Sequence, residues 1–147
     1  MKYLLSLLFL VNGYCQVLAP VKWSYGLKKL SKNLYELHLK ASIENDWHVY
    51  SQVQPKNAIA QKTIIKFKEN DGISLVGKTK ELGKPEKFYD QKMDIGATQY
   101  EHTVDFVQII RVKGKKPDSI SGTITFQACK STMCLPAEDV AFTIPGD

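Results

Sequence analysis

A chain of 147 residues, 44% of them apolar and 24% charged, has the size and composition of one soluble globular domain and is too short for two comfortable ones. Its formal net charge of +5 comes from 20 basic and 15 acidic residues, much of it in stretches such as Lys78-Thr79-Lys80 and Lys113-Gly114-Lys115-Lys116. Nucleic-acid binding calls for arginines with interleaved aromatics; Arg111 is the sole arginine, so the lysines read as a solvated surface and no nucleic-acid partner is expected.

The first element is a leader. Lys2 precedes the short apolar run Leu4-Leu5-Ser6-Leu7-Leu8-Phe9-Leu10-Val11, the pattern of a secretory signal peptide. The run is too short to span a bilayer, and no later segment is long and apolar enough to do so. Cleavage is placed after Cys15, giving residues 1–15 as signal and 16–147 as the exported domain, which is therefore extracytoplasmic. Tyr14 is too bulky for Cys15 to serve as a lipid-attachment site.

The rest reads as β structure. Val21 to Leu27 is a short strand candidate. In the next run Tyr35, Leu37, Leu39, Ala41 and Ile43 alternate with Glu36, His38, Lys40 and Ser42, which gives one inward face. Trp47 to Tyr50, Thr63 to Phe67 and Ile73 to Val76 are shorter candidates. Lys78 to Met93 shows no period and is taken as the longest irregular segment and a functional loop. Gln99 to Val112 reads as one long strand with a bulge near Gln108. Ile120 to Gln127 alternates again, and Val140 to Ile144 closes the series. Asn45-Asp46, Asn70-Asp71-Gly72, Gly83-Lys84-Pro85, Lys113-Gly114 and Pro117-Asp118 supply the turns. Seven to nine short strands at this spacing predict an all-β, immunoglobulin-like sandwich in a single domain.

Removal of the leader leaves two cysteines, Cys129 and Cys134, in Thr125-Phe126-Gln127-Ala128-Cys129-Lys130-Ser131-Thr132-Met133-Cys134-Leu135-Pro136. A strand running into Cys129, a four-residue loop and a returning strand bring the two within bonding reach. A bridge over so small a loop contributes only about 2–3 kcal/mol or less. Stability alone is a weak reason for it, and from spacing alone a structural staple and a reactive dithiol are equally good readings. Exchange needs an accessible sulfur and a second thiol to resolve the mixed disulfide, and this pair supplies both. Cys129, Met133 and Cys134 could also hold Cu(I), but His38, His48 and His102 show no ligand spacing, so no metal and no cofactor is expected.

Phe126-Gln127-Ala128-Cys129 through Cys134-Leu135-Pro136 resembles the cysteine hairpin of the N-terminal periplasmic domain of DsbD, the thiol:disulfide interchange protein. Asp46-Trp47-His48-Val49-Tyr50-Ser51 is similar to that family's aromatic strand, and Pro85-Glu86-Lys87-Phe88-Tyr89-Asp90 to its cap loop. The resemblance runs from about Val21 to Ile144. It implies a periplasmic electron relay in which Cys134 forms the mixed disulfide, Cys129 resolves it and Phe88 covers the bridge. Tyr50 matches an active-site tyrosine, His48 stands where a second aromatic is expected, and Glu86 or Asp90 supplies an acidic group; Tyr89 belongs to the cap. The implied partners are thioredoxin-like proteins and a membrane thiol-electron transporter, and the protein is expected to be a monomer. The inter-cysteine loop is one residue shorter than in the best-known members. The chain ends at Asp147, without the eight-helix membrane domain and the thioredoxin-like domain of DsbD, so electrons are expected to come from separate proteins. The alternative is an immunoglobulin-like interaction module with a purely structural disulfide.

Overall fold

The computed structural model describes residues 17–146; the expected leader and its cleavage point lie outside them. Among the described residues every regular element is a strand: β1 (Val21–Lys29), β2 (Leu34–Ile43), β3 (His48–Tyr50), β4 (Ile64–Phe67), β5 (Ile73–Gly83), β6 (Glu86–Asp90), β7 (Ile95–Glu101), β8 (Thr103–Val112), β9 (Ser119–Phe126), β10 (Ala128–Lys130), β11 (Met133–Cys134) and β12 (Glu138–Pro145). They form three antiparallel sheets, in the orders β1-β2-β8-β5, β11-β10-β3-β7-β6 and β12-β9-β4.

The period-two pattern of β2 sets the inner face of the first sheet. Tyr35, Leu37, Leu39, Ala41 and Ile43 are buried, while the residues between them face outward. Phe106 and Ile110 of β8 lie beside them, and Ile120, Ile124 and Phe126 of β9 come from the third sheet to the same core. Trp23 of β1 ties the layers together, with its ring 5.9 Å from Phe106 and 5.4 Å from Phe126. Each fully buried side chain of this core, such as Leu37, Phe106 and Ile124, contributes about 1.5–3 kcal/mol. Gly122 of β9 is required by this packing, since a Cβ there would run into the Phe142 ring and the Lys66 carbonyl.

Three expectations change. The run from Gln99 to Val112 is two strands, because His102 takes a φ of 61° and turns the chain out of the second sheet and into the first. The bulge lies on the opposite strand: the β5 register slips between Val76 and Lys80, across from Gln108, with Gly77 at a φ of 69°. The buried Gln108 amide fills this gap, donating to the Val76 carbonyl (3.2 Å) and accepting from the Thr79 hydroxyl (2.8 Å). Finally, 78–93 is mostly strand, belonging to β5 and β6, and the long irregular segment is instead 51–63, between β3 and β4.

Candidate thiol–disulfide site

The second sheet assembles the site at one end of the sandwich. β9 carries the chain past Gln127 into β10, where Ala128 and Cys129 are buried. Gln127 braces the entry: its Nε2 donates to the Leu135 carbonyl (3.1 Å) and its Oε1 accepts from the Gln61 N–H (3.2 Å). Cys129 lies directly opposite Cys134, and Lys130 opposite Met133, so the hairpin turns through Ser131-Thr132 alone. This is tighter than the four-residue loop read from the sequence. The Cα atoms are 4.0 Å apart and the two cysteines are bonded.

The two halves of the bridge differ in exposure. Cys129 is 1% exposed and packs with Tyr50 and Ala97 in a small hydrophobic cluster of its own. Cys134, on the edge strand β11, is exposed. The bridge therefore joins a residue open to solvent to one closed off from it.

β3 backs the buried cysteine. His48 is the cross-strand neighbour of Cys129, and its Nε2 lies 3.3 Å from the Tyr50 hydroxyl. Burial holds the His48 imidazole below its ordinary value, with the negative charge of Glu86 working against that shift; burial likewise raises the Tyr50 phenol. Behind them Glu81 accepts from the Ser51 hydroxyl (2.7 Å), the Gln52 N–H (2.6 Å) and the Tyr100 hydroxyl (2.7 Å), which fixes the end of β3 against β5 and β7. Burial, followed by this bond and the carboxylate's charge, places the Tyr100 phenol well above its usual range. Lys130 sits with its Nζ 5.2 Å over the Trp47 ring, so its charge rests on an aromatic face.

The segment resembling a cap loop is an ordered hairpin of β6 and β7. Phe88 pairs in register with Ala97, is 52% exposed and lines the same concavity as both cysteines. Tyr89 turns to the hairpin tip and donates to Asp94 Oδ1 (2.9 Å). Asp90 closes the tip, its Oδ1 accepting from the N–H groups of Lys92 (2.9 Å) and Met93 (3.1 Å). Its carboxylate therefore holds a turn at the rim. Of the two acidic candidates, Glu86 is the one whose charge reaches His48.

The concavity measures about 1130 Å³. Two of its lining residues are ones that sequence reasoning missed: Ile59 and Ala60 of the irregular segment 51–63. Polar, aperiodic residues gave no sign that this segment returns to the cysteines. Among the described residues no group of three or more His, Cys, Asp or Glu side chains could hold a metal ion, and no helix is long and apolar enough to cross a membrane.

Residues 18–145 match the family model described as the N-terminal part of the thiol:disulfide interchange protein DsbD. Among solved structures, the N-terminal domain of Neisseria meningitidis DsbD in its reduced form aligns with a TM-score of 0.55 at 18% identity, over 85% of this chain and 86% of that one. The N-terminal periplasmic domain of ScsB from Proteus mirabilis aligns with a TM-score of 0.58 at 17% identity; it covers 82% of this chain, which spans 44% of that one. A comparison with curated proteins finds no match. The structural likenesses establish the immunoglobulin-like sandwich expected from the strand pattern.

Proposed function

The chain belongs to the family of the N-terminal domain of the thiol:disulfide interchange protein DsbD, and from that premise we propose that it relays electrons between extracytoplasmic redox proteins through Cys129 and Cys134. Family and bonded pair together make it a thiol–disulfide exchange module. The observation that carries the finer reading is the unequal exposure of the two cysteines.

In the oxidised protein a donor thiolate attacks Cys134 Sγ. The S–S bond breaks, Cys129 leaves as a thiolate and takes up a proton, and a mixed disulfide remains on Cys134. The donor's second thiolate attacks the donor's own bridging sulfur, releasing the Cys134 thiolate and leaving the donor as a disulfide. Two electrons have moved. Reduction of an acceptor runs in reverse: the Cys134 thiolate attacks the acceptor disulfide, and Cys129 then attacks Cys134 Sγ to reform the bridge. A Cys129 thiolate in its apolar niche is unfavourable, so the leaving group needs a proton. His48, its cross-strand neighbour, and Tyr50, packed against it, would exchange that proton; their proximity to Cys129 supports this reading. Phe88 covers the concavity until a partner displaces it, and Glu86 tunes His48.

The donors and acceptors would be thioredoxin-like proteins and a membrane thiol-electron transporter. The periplasmic ScsB domain supports an extracytoplasmic location. The test is trapping with a thioredoxin-class protein. Cys129→Ser is expected to accumulate a mixed disulfide through Cys134, and Cys134→Ser to accumulate none. The opposite pattern reverses the roles; a wild-type bridge that the thioredoxin cannot reduce leaves only a staple.

A further inference from the structure

The segment 51–63 has no regular structure, yet it is fastened along its length. Gln54 bonds both ways with the backbone of Thr98, accepting from its N–H (3.0 Å) and donating to its carbonyl (2.7 Å). Asn57 Nδ2 donates to the Asp94 carbonyl (2.9 Å) at the tip of the β6–β7 hairpin. The Gln61 N–H is held by Gln127, and the Thr63 hydroxyl donates to the Tyr50 carbonyl (2.5 Å). Within this frame Ile59 is 78% exposed and stands on the rim of the concavity that holds Cys134.

An isoleucine ordered by its backbone but left in water gains nothing from burial inside this chain. Resting on the relay reading, we infer that Ile59 is a docking anchor that selects protein partners carrying an apolar surface around a reactive thiol. The geometry supplies the reason. Cys134 lines this concavity, so a sulfur that bonds to it from this side enters beside Ile59. A small thiol can do so without covering the rim, whereas a folded protein must lie over it and bury Ile59. Because the segment is already fixed, little ordering cost falls on binding, and the apolar area removed from water adds to affinity. Phe88 (52% exposed) and Met93 (67% exposed) line the same concavity, so the partner meets further apolar contacts besides Ile59.

The experiment compares two reductants of the oxidised protein, a thioredoxin-class protein and dithiothreitol. Ile59→Asp is expected to slow reduction by the thioredoxin by about tenfold or more, the scale of losing one apolar anchor, while leaving the dithiothreitol rate within about twofold. Ile59→Leu should keep most of the thioredoxin rate. Leu30→Asp, an exposed leucine in the β1–β2 turn, should change neither. The inference is overturned if Ile59→Asp reacts with thioredoxin as the wild type does, or if both reductants slow equally. A wild-type bridge that dithiothreitol reduces and the thioredoxin does not overturns the relay reading itself, and the anchor with it.

Discussion

Phe106 and Cys129 are both almost completely buried, yet they belong to different kinds of interior. Phe106 sits among Leu37, Leu39, Ile110 and Trp23, where side chains from three sheets meet. Cys129 clusters, among the described apolar residues, with Tyr50, Ala97 and the partly buried Ala60. The first interior is deep and holds the sandwich together. The second is a small cluster, with one of its members bonded to an exposed residue. On the proposed relay, stability and reactivity are housed separately, and a partner disturbs the small cluster without touching the large one. Phe106→Ala puts this to the hardest test. It should cost about 3–5 kcal/mol of unfolding free energy in denaturant titration, with the native bridge reduced by dithiothreitol at the wild-type rate. Reduction that accelerates in step with the lost stability would mean that the sulfurs become accessible only through global unfolding.

The opposite substitution lies at the rim. Phe88 is half exposed, so Phe88→Ala should cost only about 1 kcal/mol or less. Its effect belongs to access: alkylation of Cys134 in the reduced protein should rise by about threefold or more, because a ring lining the approach to an already exposed thiolate is removed. Unchanged alkylation with lowered stability would make Phe88 a packing residue of β6 and remove its role as a cover.

Sequence and structure agree best where a strand has one buried face. Tyr35 to Ile43 could be read residue by residue because burial of every second side chain writes itself into the composition. β5 beyond the bulge and β6 were lost in a supposed loop for the converse reason. Both are edge strands of their sheets and mostly exposed, and the alternation that identifies a strand has nothing to enforce it. β7 and β8 merged because the apolar positions Tyr100, Val104 and Phe106 keep one parity on both sides of the polar Glu101-His102-Thr103, and a positive φ at a non-glycine residue records the corner. At the site, Cys129, Cys134, His48 and Phe88 could be named because motif and resemblance converge on them. Ile59 could not. It is placed by side-chain amides of Gln54 and Asn57, whose partners lie some forty positions away in sequence, at Thr98 and Asp94.

The smallest expected effect separates the two interiors by pH. Burial lowers the folded-state pKa of His48 below the ordinary 6.5, against the pull of Glu86. Between the lowered value and 6.5 the unfolded chain binds more protons than the folded one, so stability falls as pH drops through that window and levels off once the folded imidazole is protonated too. His48→Gln should flatten this part of the profile while leaving stability above 6.5 nearly unchanged. The imidazole adjoins Cys129, so the same window should appear in the pH dependence of mixed-disulfide resolution. Protonated, it can supply the leaving Cys129 sulfur; neutral, it can accept the proton of the Cys129 thiol. A stability profile that changes with His48→Gln while resolution keeps its pH dependence would assign His48 to packing alone, and the proton exchange would then fall to Tyr50.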